Sequence, residues 1–135
     1  MRSALSRARS ILAANDAAGD GSFVHALHDR DVFDEETFWT LYGAMNVIAD
    51  TPPRSRGRST RTMAARVHAA ILMHVIYHLN PNDGGHLDSF PADNLYDWLQ
   101  RLEWVFNPVV YGTRGYGPGR FDDGLEHPRS GQTQH

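Results

Sequence analysis

The stretch HVIYHLNPNDGGH, residues 74–86, decides the fold. His74 and His78 stand one helical turn apart, with a third imidazole at His86, so the stretch is either a metal site or the end of a core helix running into a turn. At about 100° per residue, Val67, Ile71, His74 and His78 fall within about 60° of one another. Both imidazoles therefore share a stripe with core side chains, and each is expected to pack and to need one hydrogen-bond partner. His78 lies in the last turn, where the helix dipole favours a cation and Asp83 offers an acceptor.

The metal alternative uses His74, His78 and His86, with or without Asp83. Two ligands at i and i+4 with a third downstream have the skeleton of the zinc motif His-Glu-x-x-His, but Val75 follows His74 where the water-activating carboxylate belongs. A zinc protease of that class is excluded. A metal-dependent helical-bundle enzyme on those three histidines remains the rival reading. The preferred reading has no metal, no cofactor and no catalytic residue.

Working outward from this stretch, the pattern predicts a helix from about Ser59 to Leu79, apolar on nearly every side beyond Met63, which suits the centre of a bundle. Pro81 with its neighbouring Asn, Asp and Gly ends it. Downstream, Leu95, Trp98, Leu99, Leu102, Val105 and Phe106 form one continuous face of a helix over residues 92–106, and Asn107 with Pro108 predicts its end. Upstream, FDEETFW (residues 33–39) opens another helix. Asp34 is its N-cap, Glu35 and Glu36 face the positive end of the dipole, and Phe33 and Phe38 form a hydrophobic staple. The buried stripe of that helix is Phe38, Leu41, Tyr42, Met45 and Ile48, and the segment from Asp50 to Pro53 stops it. Residues 3–15 read as a first, amphipathic helix.

No segment alternates with period two. The expected fold is therefore all-α: a single-domain bundle of about four helices over residues 1–111, with a Gly/Pro-rich, flexible or irregular tail over 112–135. Tyr111, Tyr116 and Phe121 give that tail aromatics to lay along the bundle. With 135 residues, of which 41% are apolar, the chain supports one domain with a substantial core. Cysteine is absent, which removes disulfides, thiolate metal sites and cysteine nucleophiles and fits a reducing cytoplasm. The N-terminal segment lacks the apolar core of a secretory signal, although its Arg- and Ser-rich, acid-poor composition is shared with organellar transit peptides. Nowhere is there a membrane span: the most apolar helix is too short, and it carries Arg and His.

Charge is arranged in blocks. Residues 1–15 carry +3, 16–50 carry −7, 51–66 carry +5, 67–107 carry −4, and the remainder is neutral. All thirteen basic residues are Arg. Blocks of this kind either face each other in the fold, remain solvated, or steer a charged partner. TPPRSRGRSTR (residues 51–61) is the one candidate for a nucleic-acid contact, but it has no interleaved aromatics and the chain is acidic overall, so it reads as an exposed linker. HALHDRD (residues 25–31) places His25 and His28 beside Asp29 and Asp31; a mixed metal site is conceivable there, and a solvated loop is preferred. Nucleophile elbows, phosphate loops and paired catalytic carboxylates are not found.

FDEETFWTLYGAM, ILMHVIYHLNPNDGGHLDSFP and NLYDWLQRLEWV together resemble a family of small helical immunity proteins from bacterial polymorphic and contact-dependent toxin systems. The resemblance spans about residues 33–106; its most specific part is the HLNPND turn followed by FP and the RLEWV helix. It implies a cytoplasmic protein that binds and neutralises a cognate toxin domain without catalysis or cofactor, and that engages neither nucleic acid nor membrane. In that reading His78, Asn80, Pro81 and Asp83 fix the turn, and Trp39 and Trp98 pack or line the interface. The toxin is met by Asp29, Asp31, Asp34, Glu35 and Glu36, by a second acidic set of Asp88, Asp93 and Asp97, and by Trp39 or Trp98 as aromatic anchor.

Overall fold

The computed structural model describes residues 3–80, 82 and 86–115. Among them are five α-helices and no strand: α1 (Ala4–Asp16), α2 (Phe23–Asp29), α3 (Glu35–Asp50), α4 (Arg58–Leu79) and α5 (Leu95–Tyr111), with short 3-10 turns at Pro53–Ser55 and Ala92–Asn94. The all-α expectation holds. Tyr116, Phe121 and the rest of the expected tail beyond Gly115 lie outside the described residues, as do Pro81 and Asp83.

The helix not foreseen is α2, where a solvated loop was expected. Its signal was present in the sequence: Phe23, Val24, Ala26 and Leu27 are all buried, a compact apolar face on a seven-residue helix. Ser22 caps it by accepting the His25 N–H at 3.1 Å. Buried Asn15 ties it to α1, its amide donating to Ile11 O and its Oδ1 accepting Val24 N–H.

For α3 the sequence reading transfers almost whole. All five expected stripe residues are buried. Phe33 and Phe38 stack at 6.0 Å between ring centroids across the helix start. The cap differs in detail: Asp34 accepts the Thr37 hydroxyl at 3.0 Å and makes no side-chain bond to a backbone N–H.

The end of α5 differs more. Helical backbone passes through Pro108 and stops only at Gly112, whose left-handed conformation (φ 69°, ψ 34°) terminates it. Proline removes one backbone donor and crowds the preceding turn. Tertiary contacts outweigh that cost, because Pro108 and Val109 are buried and two arginines from the segment before and within α4 collect the carbonyls of Pro108 and Val110.

One core holds the helices together. Phe33 sits at its centre, with ring centroids 5.2 Å from Phe23, 5.6 Å from Trp98 and 6.3 Å from Phe90. Phe38 and Trp98 meet edge to face at 4.7 Å. Such pairs add about 0.5–1.5 kcal/mol each beyond the area they bury. Because these rings come from α2, the link into α3, the loop after α4, and α5, the cluster fixes how those elements meet. The expectation that α4 is central needs correction. Its stripe of Thr60, Ala64, Val67, Ile71 and Val75 is buried, but Met73, Ile76, Tyr77 and Leu79 are 43–56% exposed.

Arg56 is the other organising element, and the expectation of an exposed linker fails there. It is 3% exposed and donates five hydrogen bonds, all to backbone carbonyls: Ile48, Thr51, Ala49, Pro108 and Thr113. Three of these acceptors lie in the last turns of α3 and α5, where carbonyls lack helical partners and the dipole is negative. One planar guanidinium thus caps two helices. Burial holds its pKa below the usual arginine value.

Candidate functional site

The acidic residues singled out from the sequence converge on the junction between α2, α3 and the segment after α4. The link is a single parallel backbone bridge, Val32 to Asp88. Phe33 N–H donates to Asp88 O at 2.9 Å, and Asp88 N–H donates to Asp31 O at 2.8 Å. The two acidic sets, far apart in the chain, are therefore joined through the backbones of Asp31 and Asp88.

Both ends of this bridge carry left-handed backbone, Asp31 at φ 52° and Ser89 at φ 60°. Strain of this kind persists where the surroundings over-determine it, and it recurs at functional positions. Asp31, Asp88, Glu35 and Glu36 are exposed. Asp29 is engaged by His25 Nδ1 at 2.9 Å, and His25 Nε2 lies 3.3 Å from Asp20. Phe90, packed against Phe33, leads into the Ala92–Asn94 turn, which carries exposed Asp93; Asp97 follows, partly buried, in the first turn of α5.

Of the two roles expected of the tryptophans, packing or lining the interface, the structure shows packing. Trp39 is 5% and Trp98 4% exposed, and their rings lie 5.5 Å apart inside the core. Trp98 Nε1 donates to Asn94 Oδ1 at 3.1 Å, and the Arg101 guanidinium lies 5.9 Å over the Trp39 ring. They hold the acidic junction from beneath. The aromatic exposed near the second acidic set is Tyr96, at 73%. Sequence reasoning passed over it because it lies off the α5 stripe, and that position was its signal.

The histidines of the opening stretch separate into two neighbourhoods. His78 closes the turn: its Nδ1 accepts the Leu87 N–H at 2.8 Å, and its ring stacks on Phe90 at 3.8 Å. A nitrogen that accepts a backbone N–H carries no proton, so the expectation of a cation at this helix end is corrected. Partial burial and the nearby His86 hold the His78 pKa below its ordinary value. His74 turns toward α2, meeting the His28 ring edge-on at 5.4 Å. Its pKa is also lowered, by burial first and by His28 second, against the opposing pull of Asp31. His86 reaches Asp88 at 3.2 Å, with both side chains more than 70% exposed. Among the described residues no group of three His, Asp or Glu is arranged to hold a metal ion.

No family model, curated protein or solved structure matches this chain. No described helix is long and apolar enough to cross a membrane.

Proposed function

We propose that this protein is an immunity factor that binds and neutralises a cognate bacterial toxin domain in the cytoplasm, meeting a basic face of the toxin with the acidic junction. The observation that carries the reading is the Val32 to Asp88 bridge, because it joins the −7 block to the −4 block through the backbones of Asp31 and Asp88. Preorganised charge of one sign raises the rate of encounter with an oppositely charged partner, and like-charged surfaces are rejected. Asp31, Glu35, Glu36, Asp88 and Asp93 act through charge at the rim, with exposed Asp29, engaged by His25, and the partly buried Asp34 and Asp97 as their companions. Tyr96 takes the anchoring role that buried Trp39 and Trp98 cannot fill without opening the core.

The test is co-expression with the C-terminal domain of the protein encoded immediately upstream. Cells carrying this chain should survive that domain. A variant with Asp31→Asn, Glu35→Gln, Glu36→Gln and Asp88→Asn combined, which removes the charge with shapes the local backbone accepts, should fail to protect while keeping its helical circular dichroism. Full protection by that variant, or a neighbouring domain that is harmless without this chain, overturns the proposal.

A further inference from the structure

The outer face of α4 has a pattern that the bundle does not use. Thr62, Arg66, Ala69, Met73, Ile76 and Asn80 follow one another at spacings of four, three, four, three and four, and all six are exposed. That is a heptad seam, the spacing by which one helix lays a stripe against another. Ala65 beside it is exposed too, as is Tyr77. The seam is graded by size, with small Ala65 and Ala69 toward its N-terminal side and bulky Met73, Ile76 and Tyr77 toward the C-terminal side.

Charge is graded along the same axis. Arg58, Arg61 and Arg66 lie in the N-terminal half of α4, whose first turn has no acidic residue and whose N-cap, Gly57, has no side chain to offer. That end is already positive from the helix dipole. Asp16 neutralises Arg66 at 2.7 Å and Arg61 binds Val110 O, while Arg58 has no ion-pair partner among the described residues. At the opposite end α4 bears no acid or Arg of its own, and Asp31 and Asp88 stand beside His74 and the His78–His86 pair.

We infer that this face pairs with α4 of a second copy of the chain, antiparallel, about a two-fold axis near Ile71. The occupant is named by both gradients. Turned end for end, the seam sets Met73 of each copy over Ala69 of the other and Ile76 beside the aliphatic stem of Arg66. Large side chains thus enter the spaces left by small ones, as knobs enter holes. The same rotation brings the Arg58 end of each copy to the Asp31 and Asp88 end of its partner, relieving an unfavourable helix terminus in both. A parallel arrangement would oppose Met73 to Met73 and arginine to arginine. The contact is isologous, so it closes at two copies. This inference draws on Asp31 and Asp88, which the toxin reading also uses, so dimer and toxin would compete for them; its test needs no toxin.

Sedimentation equilibrium of the full chain from about 10 μM to about 1 mM should give a mass rising from the 15.1 kDa monomer toward twice that value. Met73→Glu and, separately, Ala69→Arg should each weaken association at least about tenfold, with circular dichroism unchanged, and the urea midpoint unchanged at concentrations where the chain is monomeric, because both positions are exposed. Orientation is read by cross-linking, which the cysteine-free chain makes clean. A mixture of Ala69→Cys and Met73→Cys chains should form a disulfide-linked dimer faster than either alone. A monomer at about 1 mM, a dimer indifferent to both charge variants, or preferential coupling of Met73→Cys with itself would overturn the inference. Covering of the seam by an unlike partner would appear as the first of these outcomes.

Discussion

Arg56 Nη1 donates to Pro108 O at 3.0 Å across a sequence separation of 52 residues. The bond joins the segment before α4 to the last turn of α5, while the other guanidinium nitrogens hold the end of α3. Removing the side chain would strand several buried carbonyls at once. Arg56→Ala should therefore cost about 3–5 kcal/mol, in the range for breaking a buried charged network. Arg56→Lys should recover only part of this, since an ammonium cannot span the same acceptors. Urea denaturation of the three proteins checks the order.

Acid should unfold this protein in two stages. His68, His74 and His78 all have folded-state pKa values below the ordinary 6.5, each chiefly through burial. The unfolded chain then binds more protons than the folded one as pH falls below that value, so stability is complete above about pH 6.5 and declines beneath it until the folded values are passed. Asp16, held low by its bond to Arg66, adds a second loss below its ordinary 3.8. Melting temperature measured at intervals from pH 8 to 3 should show both; a flat profile between about pH 7 and 5 would contradict the histidine assignment. His78→Gln, which keeps an acceptor for Leu87 N–H, should flatten the upper stage.

Asp31 separates charge from architecture. Asn tolerates left-handed backbone about as well as Asp, so Asp31→Asn should change stability by less than about 0.5 kcal/mol. In the proposed function, loss of the charge should slow association with the cognate toxin domain and leave dissociation nearly unaltered, a split that stopped-flow binding resolves.

Trp39→Ala is expected to fail by another route. Truncating a buried indole costs about 3–5 kcal/mol, so in the proposed function protection should be lost together with soluble abundance. Titrating purified, still-folded protein at low temperature should return near-normal affinity.

At Gly57 the backbone takes φ 96° and ψ 148°, a region closed to other residues. An added Cβ would also lie 2.6 Å from Arg9 Nη2. Because that arginine end is flexible, the strain resides in the backbone. Gly57→Ala should cost about 1–3 kcal/mol, and adding Arg9→Ala should not restore it, an outcome read from a double-mutant cycle.

Much of this architecture was legible in the residues, and the exceptions have physical causes. Phe33, Asp34 and Phe38 announced α3 because capping and stapling are local. The α4 boundary fell within one residue of its expected start, since Gly and Pro punctuate it on both sides. Pro108 misled because its local penalty is overridden by arginines distant in sequence. Arg56 was invisible for the same reason: its acceptors are main-chain carbonyls, which leave no trace in side-chain pattern. The acidic site was legible as two sets, but not their union, since a lone bridge between residues 32 and 88 has no periodicity. Burial of Trp98 followed from its stripe, whereas Trp39 lay outside the stripe read for α3, and the interface role of both came from the resemblance.

The Val32 to Asp88 bridge also governs when the acidic surface comes into being. Closing so long a loop carries an entropic cost that is met only after α4 has formed and its terminal turn is locked by His78 and Leu87. The junction is therefore expected among the last steps of folding, an order that φ-values at Val32 and Leu87 would check. A half-folded chain would then lack the joined carboxylates, and in the proposed role capture of a partner would report a finished molecule.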